Sequence, residues 1–177
     1  MKQFFFMVLL GVLITTSSYA KSKVSVTEVI ESSFERVSNI NPQALILTAT
    51  QFKEVRKKAH TAMDTKVYRY YNILSKAKKV GTAVLITRKV RSKKATVLYA
   101  FDSKGTLRFS EIMAFGEPPE FIPSKIWMSQ LQNQKPTAKL TVGKDIPTIS
   151  GATLSARTIS EGARVARAIY EIVLKQK

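Results

Sequence analysis

Two stretches of this chain hold residue types and spacings that could do chemistry. The first runs Thr148-Ile149-Ser150-Gly151-Ala152-Thr153-Leu154-Ser155-Ala156-Arg157. Here an extended segment meets Gly151, which permits a backbone turn that other residues resist, and Ala152 keeps the corner small. A long helical pattern follows. The hydroxyls of Ser150, Thr153, Ser155 and Thr158 gather at its start. A helix N-terminus presents unpaired N–H groups and a partial positive charge, which suits phosphate. This corner could hold a phosphate, and a threonine hydroxyl there could carry one covalently. The same residues would equally make an ordinary Ser/Thr cap after a glycine turn.

The second stretch is Phe115-Gly116-Glu117-Pro118-Pro119-Glu120-Phe121-Ile122-Pro123, with Trp127 beyond it. Proline-rich loops with aromatics are rigid and can line a planar ligand, or they can simply connect sheet to helix. Glu117 and Glu120 offer an acid/base pair only weakly, at three residues apart. His60 is the single histidine and lies among Arg56, Lys57 and Lys58, with no nucleophile motif near it. It reads as a surface residue at a helix C-terminus, where the dipole favours it.

These residues need a frame. Ser25 and Glu28 form a Ser-x-x-Glu capping box, and Val26, Val29, Ile30, Phe34 and Val37 follow helical spacing. Asn41-Pro42 reads as a break. Thr48 and Gln51 make a second box, with Leu47 and Phe52 placed as a hydrophobic staple, opening a helix to about Ala59. Strand-like sequence covers Thr65 to Ser75, Gly81 to Arg91, Lys94 to Phe101 and Thr106 to Phe115, with a turn signal at Asp102 to Gly105. Short connections predict an antiparallel meander. A short helix over Ser124 to Gln130, an extended or looped stretch over Lys135 to Ile149, and a last helix from near Ser155 to Leu174 complete the reading. The fold class is α+β: an antiparallel sheet packed with helices, ending in a long C-terminal helix.

The start of the chain is organised differently. Lys2, the apolar run Phe4 to Ile14 and the small polar stretch ending Ser18-Tyr19-Ala20 read as a secretory signal, residues 1–20. The run is short for a membrane span, which needs about 20 apolar residues. Export to the periplasm is therefore expected, with one domain's worth of chain remaining. Residues 21–80 form a helical and strand region, and residues 81–177 carry both candidate stretches. The chain has no cysteine, which excludes disulfides, zinc–thiolate and iron–sulfur sites, and covalent c-type haem. Lys+Arg number 29 against 12 Asp+Glu, a formal net charge of +17. In an exported protein this favours acidic partners or a membrane surface over nucleic acid.

Ser150-Gly151-Ala152-Thr153-Leu154-Ser155 resembles the Ser/Thr-Gly-Ala-Thr flavinylation motif of the FMN-binding domain family. That family includes the flavin-carrying subunits of the sodium-translocating NADH:quinone oxidoreductase and of the Rnf complex, and also small exported proteins. The resemblance covers about Gly81 to Leu174: the strand–turn–strand Thr96 to Phe115, the Glu117-Pro118 loop, and Trp127 with Gln130-Leu131. It implies FMN joined through its phosphate to Thr153 by an FAD-dependent protein FMN transferase. It also implies Ser150, Gly151, Ala152, Leu154, Ser155, Glu117, Pro118 and Trp127 around the cofactor. Two positions depart from the pattern: Pro147 stands where the fuller motif has Asp, and Glu117-Pro118-Pro119-Glu120 replaces Glu-Thr-Pro-Gly.

The implied function is an electron carrier in an envelope redox chain, docking an acidic redox protein or a membrane redox complex. No residue set suggests a substrate site for hydride transfer. The reading from another class is a non-catalytic basic module for an anionic envelope polymer or membrane surface. If the signal is cut after Ala20, N-terminal sequencing of the exported protein should begin Lys21-Ser22-Lys23; an intact start recovered from the membrane would make the segment an anchor instead.

Overall fold

Both capping boxes read from the sequence are formed. The structure is a computed structural model and describes residues 25–175; the signal-like segment, residues 1–20, lies outside the described residues. The Ser25 hydroxyl accepts from the Glu28 N–H at 3.1 Å, and the Ser25 N–H donates to the Glu28 carboxylate at 2.8 Å. This starts α1, Val26–Ser33. Thr48 and Gln51 repeat the exchange at 3.2 and 3.0 Å and start α2, Ala49–Ala59. His60 ends α2 in the left-handed region and is exposed.

Asn41-Pro42 does not break the chain. Both residues lie inside β1, Asn39–Ile46, with Pro42 opposite Tyr71. β1 is the edge of a five-stranded sheet ordered β1-β2-β3-β4-β5, and an edge strand has one unpaired side where a missing N–H costs little. The other strands are β2 Val67–Ser75, β3 Lys78–Lys89, β4 Lys94–Asp102 and β5 Leu107–Phe115. Every neighbouring pair is antiparallel, so the expected meander and the α+β class hold.

Strand alternation sends side chains to two faces. Tyr68, Tyr70, Val84, Ile86, Val97, Tyr99 and Phe101 face one core. Tyr71, Ile73, Ala83, Leu98 and Ala100 face the other, under Val29, Ile30 and Phe34 around α1. Leu107 and Phe109 sit two apart yet belong to opposite cores. The register explains this: Ala100 pairs with Phe109 and Phe101 with Leu107, so Arg108 is the extra residue of a bulge.

The first core is closed by α2, by α3 (Lys125–Ser129) and above all by α4, Thr153–Ile169. The last helix continues through a π-helical turn, Tyr170–Leu174. Four contacts fix its line. The Tyr99 hydroxyl donates to the Ile159 carbonyl at 2.7 Å. The Tyr170 hydroxyl donates to the Asp102 carbonyl at 2.9 Å, and its ring stacks on Phe101 with centroids 5.1 Å apart. The Lys79 ammonium caps the far end at the Leu174 carbonyl, 3.0 Å away. α4 therefore runs along β4 in the same direction. Its N-terminus arrives at the end of the sheet where β3 turns into β4.

The crossing from α3 to α4 is irregular, as expected, but firmly held. Arg164 donates to the Leu140 carbonyl at 3.5 Å and Arg167 to that of Ala138. The Asp145 carboxylate accepts from the Thr141 N–H at 3.1 Å.

Gly162 makes the close approach of α4 to the sheet possible. A Cβ there would lie 2.5 Å from the Tyr99 hydroxyl oxygen. Ala is the better helix former by about 1 kcal/mol, but overpacking costs about 1–3 kcal/mol and here also displaces a buried hydrogen bond. Gly162→Ala should therefore lower the urea midpoint, and by much less when introduced into Tyr99→Phe, which lacks the obstructing oxygen. Equal losses in the two backgrounds would show that the hydroxyl is not the obstacle.

Candidate functional site

The N-terminus of α4 is where the first candidate stretch lies. Gly151 has φ +79°, the left-handed region expected of it, with nothing within 4 Å of where a Cβ would stand. Backbone conformation, rather than crowding, is what asks for glycine here. Ala152 is the N-cap and is buried, and no side chain caps the helix. The hydroxyls of this corner do not make the ordinary Ser/Thr cap. Thr153 instead donates its proton back to the Ile149 carbonyl at 3.2 Å, and Ser155 is buried in the first helical turn. An uncapped 17-residue helix leaves its first N–H groups free to receive an anion.

The second candidate stretch meets the first across a cavity of about 210 Å³. Gly151, Ala152, Thr153, Leu154 and Ser155 form one wall; Val90, Arg91, Glu117 and Phe121 form the rest. The facing wall is built by the turn between β3 and β4. Val90 closes it, its N–H donating to the Lys93 carbonyl at 2.9 Å. Three consecutive N–H groups, those of Arg91, Ser92 and Lys93, converge on a single oxygen, Oε1 of Glu117, at 2.9, 2.6 and 2.6 Å. The Ser92 hydroxyl donates to the other oxygen at 3.2 Å. Successive backbone N–H groups in a turn make an anion-binding nest; in this protein the anion is Glu117.

Gly116 lets the loop come this close. Its N–H donates to the Lys94 carbonyl at 2.9 Å, and a Cβ on it would lie 3.0 Å from that of Lys93. With four donors, the buried Glu117 carboxyl is pulled down to about 2. The Lys93 N–H does most, against the opposing effect of burial, and the remaining donors add to it.

Residues 91–168 match the FMN-binding domain family. That stretch is similar to an FMN-binding domain. FMN is the cofactor this match assigns to it, and the matched stretch contains nearly all of the cavity wall. No curated protein matches the chain closely enough to count as a relative.

Against that family, the sequence-predicted residues divide. Gly151, Ala152, Thr153, Leu154, Ser155 and Glu117 line the cavity together. Ser150 and Pro118 are exposed and lie outside its lining. Trp127 is buried and does not line it either; its indole N–H donates to the Pro147 carbonyl at 2.8 Å. Trp127 thus anchors the segment leading to Gly151, and Pro147 receives that anchor. Glu120 is exposed on a 3-10 turn, Pro119–Phe121, and makes no pair with Glu117. Val90, Arg91 and Phe121 were not singled out from the sequence. Phe121 lay within the aromatic loop, but nothing in the sequence links Val90 and Arg91 to Thr153, more than 60 residues on.

The Glu117 clamp should be visible in acid. A carboxyl whose folded pKa lies below its ordinary value of 4.5 contributes stability that is complete above that pH. The contribution is lost as pH falls toward about 2. Glu117→Gln should unfold at lower denaturant than the parent at pH 7, and the difference should shrink between pH 4.5 and 2. A difference that stays constant through this window would mean that the charge on Glu117 does not hold the turn.

Proposed function

We propose that this protein is an exported flavoprotein of the periplasm that carries FMN as a phosphoester on Thr153 and passes electrons within the cell envelope. One observation carries the reading: within the FMN-binding domain, the motif threonine lines a cavity at the uncapped N-terminus of α4. A phosphate in this cavity would meet free N–H groups and the positive end of the helix.

Attachment requires a donor, and FAD with a protein FMN transferase supplies one. The Thr153 oxygen attacks the phosphorus of the FMN half of FAD. The new P–O bond forms as the bond to AMP breaks, and the hydroxyl proton leaves to a base on the transferase. The hydrogen bond to Ile149 is given up in that step. Asp145, the acid nearest the motif position held by Pro147, is already engaged with Thr141.

The bound flavin supplies reversible one- and two-electron chemistry. The chain's own part is to hold the phosphate end and leave the ring accessible. At about 210 Å³ the cavity is smaller than the roughly 300–1,000 Å³ of sites that engulf a ligand. Such a cavity suits exchange with a protein partner at its mouth better than enclosure of a small substrate. A covalent tether also prevents loss of a cofactor made in the cytoplasm. The excess of basic residues favours an acidic partner.

Coexpressed with an FAD-dependent FMN transferase, the protein should gain on the order of 440 Da, the mass of FMN less one water. It should fluoresce as a band in a denaturing gel. Thr153→Ala should abolish both while remaining folded, because it removes one side-chain hydrogen bond worth about 1 kcal/mol. Flavin mapped to Ser150 or Ser155, or no gain with an active transferase present, would overturn the assignment.

A further inference from the structure

The cavity presents a puzzle in charge. If FMN occupies it, as the proposed function has it, one wall of a site for an anionic phosphate is made by a carboxylate, Glu117. A bare carboxylate there would repel the phosphate. Glu117 is not bare: Oε1 receives three backbone N–H groups and Oε2 a hydroxyl. Its charge is matched by oriented dipoles, and its effect is to immobilise residues 91–93.

The first residue so immobilised is Arg91, which itself lines the cavity. It is exposed, and among the described residues its guanidinium makes neither an ion pair nor a hydrogen bond within the protein. Lys89, Lys93 and Lys94 flank it on the same hairpin, and the ion pairs of the described residues, Lys58–Glu171 and Arg88–Glu161, involve none of them. Arg91, whose guanidinium has no partner among the described residues, thus belongs to the wall facing Thr153.

We infer that Arg91 is the cationic ligand of the flavin phosphate, facing the N–H groups of α4 across the cavity, and that Glu117 is a positioning residue that acts through Arg91 by clamping the turn. Guanidinium is well suited to this, since its planar fork matches two phosphate oxygens. The phosphate would then be held from both sides, by the helix end and by Arg91. Glu117 would touch neither phosphate nor ring.

The test uses the purified exported chain without covalent flavin, titrated with FMN and with riboflavin, which lacks the phosphate. Flavin fluorescence gives the two dissociation constants. The parent should prefer FMN. Arg91→Ala should weaken FMN by about tenfold, as loss of one charge-assisted hydrogen bond implies, and leave riboflavin unchanged. Arg91→Lys should recover part of the preference, and Arg108→Ala, an exposed arginine on β5, should leave it intact. Glu117→Ala should reduce the preference in the parent but add nothing to Arg91→Ala; a turn that merely misfolded would lower both affinities.

A parent with no preference for FMN, or a preference that survives Arg91→Ala, overturns the inference. So does a Glu117 effect that persists without Arg91. The mass gain on Thr153 is scored separately: a flavinylated parent indifferent to phosphate sinks only the role of Arg91, and an Arg91-dependent preference without flavinylation sinks only the ester.

Discussion

The passage of α4 over Tyr99 sets the geometry on which the site depends. The tyrosine is almost wholly buried, and burial pushes its hydroxyl far above the ordinary range, so it stays a neutral donor. It gives its proton to Ile159, and Gly162 leaves room for its ring and oxygen. A buried hydroxyl without a partner would be costly, so this bond and the missing side chain at Gly162 belong together. With Tyr170 and Lys79 fixing the other end, α4 has little freedom to slide. Its N-terminus must arrive beside the β3–β4 turn.

The two walls of the cavity are then held by separate means. Thr153 is placed by the helix and by the segment before it, whose Pro147 carbonyl is tied to the buried Trp127. The opposite wall is placed by Glu117, drawn in through Gly116. Neither wall relies on the other for its shape. This division suits a bound ligand, because a preformed cavity requires little ordering when the ligand enters.

Polar and charged groups serve position more than reactivity in the described residues. Arg88 donates to Ala62, Thr61 and Glu161, Arg164 ties α4 to the end of α2, and Arg167 reaches the Ala138 carbonyl. Glu117 fits the same pattern, a carboxylate employed as a clamp. Arg91 differs: it lines the cavity, and its guanidinium has no partner among the described residues.

Local signals determined the ends of the elements. Ser25, Glu28, Thr48 and Gln51 carried the capping boxes, alternating Val, Ile and Tyr carried β2 to β5, and the Gly-Ala-Thr corner marked the start of the last helix and pointed to FMN. Those features depend on neighbours within a few residues, so a single chain spells them out. Asn41-Pro42 was misleading because proline is a break only where its N–H would be needed, and that depends on β1 being an edge. Strand order, the bulge at Arg108 and the direction of α4 had to come from packing. So did the partners of Glu117 and Trp127, Arg91–Lys93 and Pro147, which lie some 20 or more residues away. Short-range patterning marked the Gly-Ala-Thr corner; the tertiary structure alone decided what faces it, because a cavity wall is made where distant segments happen to meet.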